Sequence, residues 1–196
     1  MKVCVDVQHR GKPDKPSDRG AHWLGVDEVD VSALYAAEID RELRRLGHTV
    51  HWLGCGTYAE RWAISDARGA DVYLACHLDA GLLGRAGDRG LVIYDYRSKR
   101  GAALAAVVAP ELAKSLGWSV KPSPCHPDDD GEPRDEDYSE PFACIRGVRA
   151  VALVLEPGFL DGAKGAMLWT DPARRHGHCV AIGQAVAAAI DAWGRA

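Results

Sequence analysis

The chain has 196 residues, 47% of them hydrophobic and 27% charged, proportions of a folded globular chain that exclude a disordered, fibrous or membrane-embedded one. With 24 Lys and Arg against 28 Asp and Glu, the formal charge of −4 withholds the attraction to phosphate on which nucleic-acid binding relies, so no nucleic-acid partner is expected. One core of this size holds without disulfides or a structural metal, and any metal is expected to serve chemistry.

A first strand is predicted at 3–7, where Val alternates with Cys and Asp. Asp6 and His9 break this apolar run well before it could form the centre of an export signal, so a chain made in the cytoplasm without a signal peptide is expected. Residues 8–27 hold Gly11, Pro13, Pro16, Gly20 and Gly25 and read as a long loop. A helix follows at 28–46, with Val31, Tyr35, Ile39, Leu43 and Leu46 on one stripe and Gly47 placed to end it. Next come a strand at 49–53, a helix at 59–67 and strands at 71–76 and 91–94. A helix at 102–116 contains Pro110, where a kink or break is expected. Residues 121–141 carry five prolines and eight acids and read as a solvated acidic excursion, with no packed strand or helix. A last strand at 148–155 precedes a helix at 181–193 that aligns Ile182, Val186, Ile190 and Trp193.

Strands alternating with helices imply one α/β domain over residues 1–196. Its sheet is expected to be mostly parallel and twisted, with about five to six strands and helices on both faces. No stretch reaches the ~20 apolar residues of a membrane span. The six cysteines form no CxxC pair, and Cys4 and Cys76 sit in strand runs, which favours reduced thiols.

In such folds the site lies beyond the carboxyl ends of the strands. The strand at 3–7 runs into Gln8 and His9, the strand at 71–76 into His77, and the strand at 148–155 into Glu156. Taken singly, His9 suits a hydrogen-bonded loop and His77 the edge of a core. Glu156, closing an apolar run, must either reach solvent or face a charge. Two imidazoles and a carboxylate with a fourth position left to water form the ligand set of a hydrolytic zinc, so zinc is the metal expected.

At these residues the sequence resembles the zinc-dependent N-acetylmuramoyl-L-alanine amidases of bacterial cell-wall hydrolases and phage endolysins. Val5-Asp6-Val7-Gln8-His9-Arg10-Gly11 is similar to the opening strand and glycine-rich histidine turn of that family, and Asp18-Arg19-Gly20-Ala21 to its Gly-Ala segment. Glu28 stands where the family has a ligand at the start of a long helix, and Glu60-Arg61 also fits. Ala70-Asp71-Val72-Tyr73-Leu74-Ala75-Cys76-His77-Leu78-Asp79-Ala80 is similar to the strand that ends in Ser-Ile-His-Ala-Asn-Ala, and Leu153-Val154-Leu155-Glu156-Pro157-Gly158-Phe159-Leu160 to Leu-Val-Glu-Thr-Gly-Phe-Leu.

The resemblance implies His9, Glu28 and His77 as ligands of one zinc per chain and Glu156 as the catalytic carboxylate. It also implies peptidoglycan as partner and hydrolysis of the bond between N-acetylmuramic acid and L-alanine; of the family's two routes to the wall, an export signal or release by a phage or prophage lysis system, the missing signal and the cysteines in strands favour the second. The alternatives are a related zinc exopeptidase or amidohydrolase on another peptide, and a catalytically silent wall-binding module. His176 and His178 are expected to flank the start of the last helix in solvent, and the acids 128–130 lack the alternation of a calcium loop.

Overall fold

Apolar residues at every second position of the central strands place two different surfaces on the two sides of one sheet. In the computed structural model, which describes residues 1–13, 15–84, 88–126 and 143–196, that sheet has six strands. They are β1 (Lys2–Val7), β4 (Thr49–Leu53), β5 (Val72–Cys76), β6 (Arg89–Asp95), β7 (Ser119–Cys125) and β8 (Val151–Glu156), in the spatial order β4-β1-β5-β8-β6-β7. A separate antiparallel hairpin joins β2 (His22–Trp23) and β3 (Val26–Asp27). The first four strands of the sheet are parallel. β6 pairs antiparallel with β8, and β7 runs parallel to β6, so the sheet is mixed with a parallel majority.

On one face Val3, Val5, Leu74, Leu153 and Leu155 pack against α1 (Glu28–Arg45), α3 (Lys99–Leu116) and the C-terminal helix α5 (Pro172–Arg195). On the other, Cys4, Tyr73, Ala75, Ala152 and Val154 meet Tyr58 and Trp62 of α2 (Tyr58–Arg68) and the turn that carries Cys144 and Ile145. Helices therefore cover both faces, as the alternation of elements predicts. α2 is bounded by a capping box, with Thr57 and Glu60 satisfying each other's backbone N–H, and by Gly69 at φ 62°. Among the described residues no helix is long and apolar enough to cross a membrane.

Several boundaries differ from the sequence reading. Residues 119–125 form a packed strand although 121–125 were expected to be irregular. β7 lies at the sheet edge, and Pro122 and Pro124, two positions apart, place their missing donors on the same unpaired side. The remaining acidic stretch, 127–141, lies outside the described residues. α3 continues through Pro110; burial of Val108, Ala109 and Leu112 around it offsets the ~3 kcal/mol that a helical proline costs.

β8 starts at Val151 because residues 145–148 form a turn closed by Val148 N–H to Ile145 O at 3.2 Å. The loop expected at 8–27 contains the β2–β3 hairpin, which was not foreseen. A short helix α4 (Ala163–Thr170) and the long α5 exceed the expected 181–193, since Asp171 caps α5 through Ala173 and Arg174 N–H. His176 and His178 thus lie inside a helix and do not precede it.

Candidate metal and catalytic centre

β1, β5 and β8 are neighbours and parallel, so their carboxyl ends open on one edge. His9 follows β1, His77 follows β5 and Glu156 ends β8. The β2–β3 hairpin leads into α1, where Glu28 N–H donates to Ala21 O at 2.8 Å and brings the first helical residue to the same edge. The ligand atoms of His9, Glu28 and His77 all lie within 4.8 Å of one another.

The turn after β1 is held from beneath. Buried Arg61 donates from Nη1 to Asp6 Oδ1 and Val7 O, from Nη2 to Arg10 O and from Nε to Gly56 O, at 2.5 to 3.0 Å. This anchors a backbone that puts His9 at φ 57°, a left-handed conformation with a cost for a non-glycine residue. His9 Nδ1 meets Asp18 Oδ1 at 2.9 Å, which leaves the lone pair of the neutral ring at Nε2, 3.3 Å from Glu28 Oε1. Burial opposes the charge on Asp18, but hydrogen bonds from Lys12, the Gly20 amide and His9 outweigh it and hold the carboxyl well below its usual range.

Glu28 is buried and its two oxygens are divided. Oε2 accepts from Ala21 N–H at 2.8 Å, while Oε1 accepts from Leu78 N–H at 3.1 Å and faces His77 Nδ1 at 2.9 Å. Burial opposes its charge, and the two histidines outweigh it and lower its pKa strongly. Gly20, at φ +72°, leaves room for this arrangement, because a Cβ there would lie 2.2 Å from Glu28 Oε2 and 2.9 Å from His9 Cδ2. His77 is tied by its backbone N–H to Leu155 O at 3.0 Å, and its carbonyl accepts from Tyr35 Oη at 2.6 Å. Its Nε2 is 3.4 Å from Cys144 Sγ.

Glu156 lines the same cavity of about 330 Å³ as His9, Glu28 and His77. Its Oε2 is buried with no hydrogen-bond partner among the described residues, while the residue as a whole is part-exposed toward the cavity. Burial, with Glu28 and Asp79 nearby, pushes its carboxyl well above the usual range against the opposing effect of His77. An orphaned buried carboxylate beside two imidazoles and a second carboxylate fits a bound cation. The donor set of two nitrogens and one oxygen suits zinc and leaves a coordination position open.

All four residues expected from sequence therefore meet in one place. His176 and His178 do not: His178 stacks on Trp118 and meets Trp169 edge-on, and its Nδ1 is 3.0 Å from Arg174 O. Sequence reasoning quoted Asp18 and Asp79 without assigning them a role. Asp79 lines the cavity and burial raises its pKa to about 6. Cys144 was read only as a thiol. Polar residues in irregular loops carry no periodic signal, and the only hint of Asp18 was the Asp-Arg-Gly segment within the long loop at 8–27.

The sequence profile of the N-acetylmuramoyl-L-alanine amidases matches residues 3–192. Among solved structures, the chain is similar to the N-acetylmuramoyl-L-alanine amidase AmiC2 of Nostoc punctiforme at 17% identity and a TM-score of 0.73, over 95% of this chain and 94% of that one. The catalytic domain of CwlV from Bacillus (Paenibacillus) polymyxa is similar at 18% identity and 0.72, with 96% of each chain covered. The catalytic domain of the CD27L endolysin targeting Clostridia difficile is similar at 20% identity and 0.66, over 95% and 96%. None of the curated proteins matches the chain.

Proposed function

Because the chain belongs to the N-acetylmuramoyl-L-alanine amidase family, we propose that His9, Glu28 and His77 hold one zinc ion and that Glu156 is the general base beside it. The reaction is hydrolysis of the amide that joins the lactyl group of N-acetylmuramic acid to L-alanine in peptidoglycan. The observation that carries the residue assignment is the gathering of three ligand atoms within 4.8 Å next to a buried carboxylate oxygen with no described partner. Zinc, when bound, supplies a Lewis acid that polarises the scissile carbonyl and makes water acidic near neutral pH.

The remaining chemistry belongs to the chain. Asp18 holds His9 by Nδ1 and keeps Nε2 directed at the cluster. The Ala21 and Leu78 amides hold Glu28 so that Oε1 faces both imidazoles. Glu156, which ends β8 beside the cluster, takes the proton of the attacking water and passes it to the departing alanine nitrogen. The carbon–nitrogen bond breaks, leaving a carboxylate on the lactyl group and a free amino-terminal L-alanine.

Digestion of purified peptidoglycan followed by mass spectrometry tests this. Intact stem peptides with new amino-terminal L-alanine are expected. Release of single amino acids would instead mean an exopeptidase, and no release would mean a wall-binding module.

A further inference from the structure

A second cavity, of about 370 Å³, opens beside the metal cluster. It is framed by three cations, Lys12, Lys15 and Arg146, against Tyr58 and Trp62, and among the described residues no acid lines it. That composition is notable on a chain whose formal charge is −4. Among the described residues Lys15 and Arg146 are exposed and take part in no ion pair. Lys12 is held in place: its Nζ donates to Asp18 Oδ2 at 2.9 Å and lies 5.2 Å from the centroid of the Tyr58 ring.

The aromatic wall is rigid. Tyr58 stacks on Trp62 with ring centroids 6.3 Å apart and planes 11° from parallel, and Trp62 Nε1 donates to Cys144 O at 2.8 Å. Gly147 closes over the indole so tightly that a Cβ there would lie 2.1 Å from a ring carbon. Sugar stacking is therefore not what this wall offers; it backs a cationic pocket.

We infer that this cavity is a subsite for a free carboxylate of the stem peptide, on the leaving side of the scissile amide; the inference rests on the amidase reading above. Two observations carry it. First, the cavity adjoins the reaction centre through a single carboxylate, since Asp18 accepts from Lys12 on one oxygen and meets His9 on the other, both at 2.9 Å. Second, the charge selects the side. The one carboxyl of muramic acid is consumed in the amide and its N-acetyl sugars are neutral, so an anion next to this bond belongs to the peptide. Arg146 can take it in a bidentate fork, with the two ammonium groups as flanking point charges.

Calorimetric titration of the zinc-loaded protein with L-alanyl-D-glutamate, and with the same dipeptide carrying both carboxyls as amides, reads the subsite without turnover. The free carboxylate form is expected to bind about fivefold or more tightly, a preference that shrinks as salt rises. The double variant Lys15→Gln, Arg146→Gln is expected to lose the preference, and Lys99→Gln, at the start of α3, to retain it.

Equal affinity for the two forms, or a preference unchanged in the double variant, overturns the subsite even where wall digestion proceeds as an amidase. Tighter binding in the double variant overturns it as well. A carboxylate preference that needs Lys15 and Arg146 in a protein that leaves peptidoglycan amides intact upholds the pocket and overturns the amidase assignment alone.

Discussion

Glu156 has the most demanding position of any side chain in the centre, a carboxylate at the end of a fully apolar strand with one oxygen buried and unsatisfied among the described residues. Exchange to Gln keeps its shape and removes its ability to carry a proton. Glu156→Gln is expected to retain fold and zinc while turnover falls by about 10³-fold, as measured by peptidoglycan hydrolysis and metal content. Asp18 acts through His9, so Asp18→Ala should weaken zinc binding by ~10–100-fold, read by competition with a chelator. His9, His77 and Glu156 were legible in the sequence as a set, because each follows a strand and a parallel sheet brings those strand ends to one edge; singly, His9 suits a hydrogen-bonded loop and His77 the edge of a core. Glu28 was legible only through the resemblance, since an acid in the first turn of a helix is also ordinary dipole compensation. Asp18 and Asp79 sit in loops where neither period nor cap marks them.

The elements that build the edge are β1, β5 and β8, and β8 is anchored through an apolar layer on the face covered by α1, α3 and α5. Leu153 is fully buried in β8 and packs in the main cluster with α1, α3 and α5. Leu153→Ala should therefore cost about 3–4 kcal/mol and lower Tm by about 10 °C in a calorimetric scan. The central strands and α1 were readable within a few residues because burial on both faces or on one stripe forces a clear pattern. β7 was not, because an edge strand needs only half its donors and so admits Pro122 and Pro124. The start of α5 was obscured by the Arg, His and Gly residues at 174–178, which dilute its apolar stripe. Strand direction was not legible either: nothing in residues 89–95 marks β6 as antiparallel to β8.

At the scale of the molecule, the cysteines report on the integrity of the core. Cys55 is exposed and the other five are buried, with no disulfide among them, so a thiol reagent should label one site in the native protein and six after denaturation. Burial raises Cys125 and Cys179 to about 12, whereas an unfolded thiol ionises near ~8.5. The neutral thiols therefore favour the folded state fully below the unfolded value. That contribution is lost as pH climbs from there to about 12, and unfolding midpoints should fall over this window. The central claim is that one edge of the sheet holds one metal through His9, Glu28 and His77, and elemental analysis of purified variants tests it most directly. The wild-type protein should carry about one equivalent of zinc that a chelator removes and added zinc restores, with the fold retained throughout. His77→Ala should carry none, and His176→Ala and His178→Ala should carry the full equivalent. Zinc retained by His77→Ala but lost from the His176 and His178 variants would contradict the account.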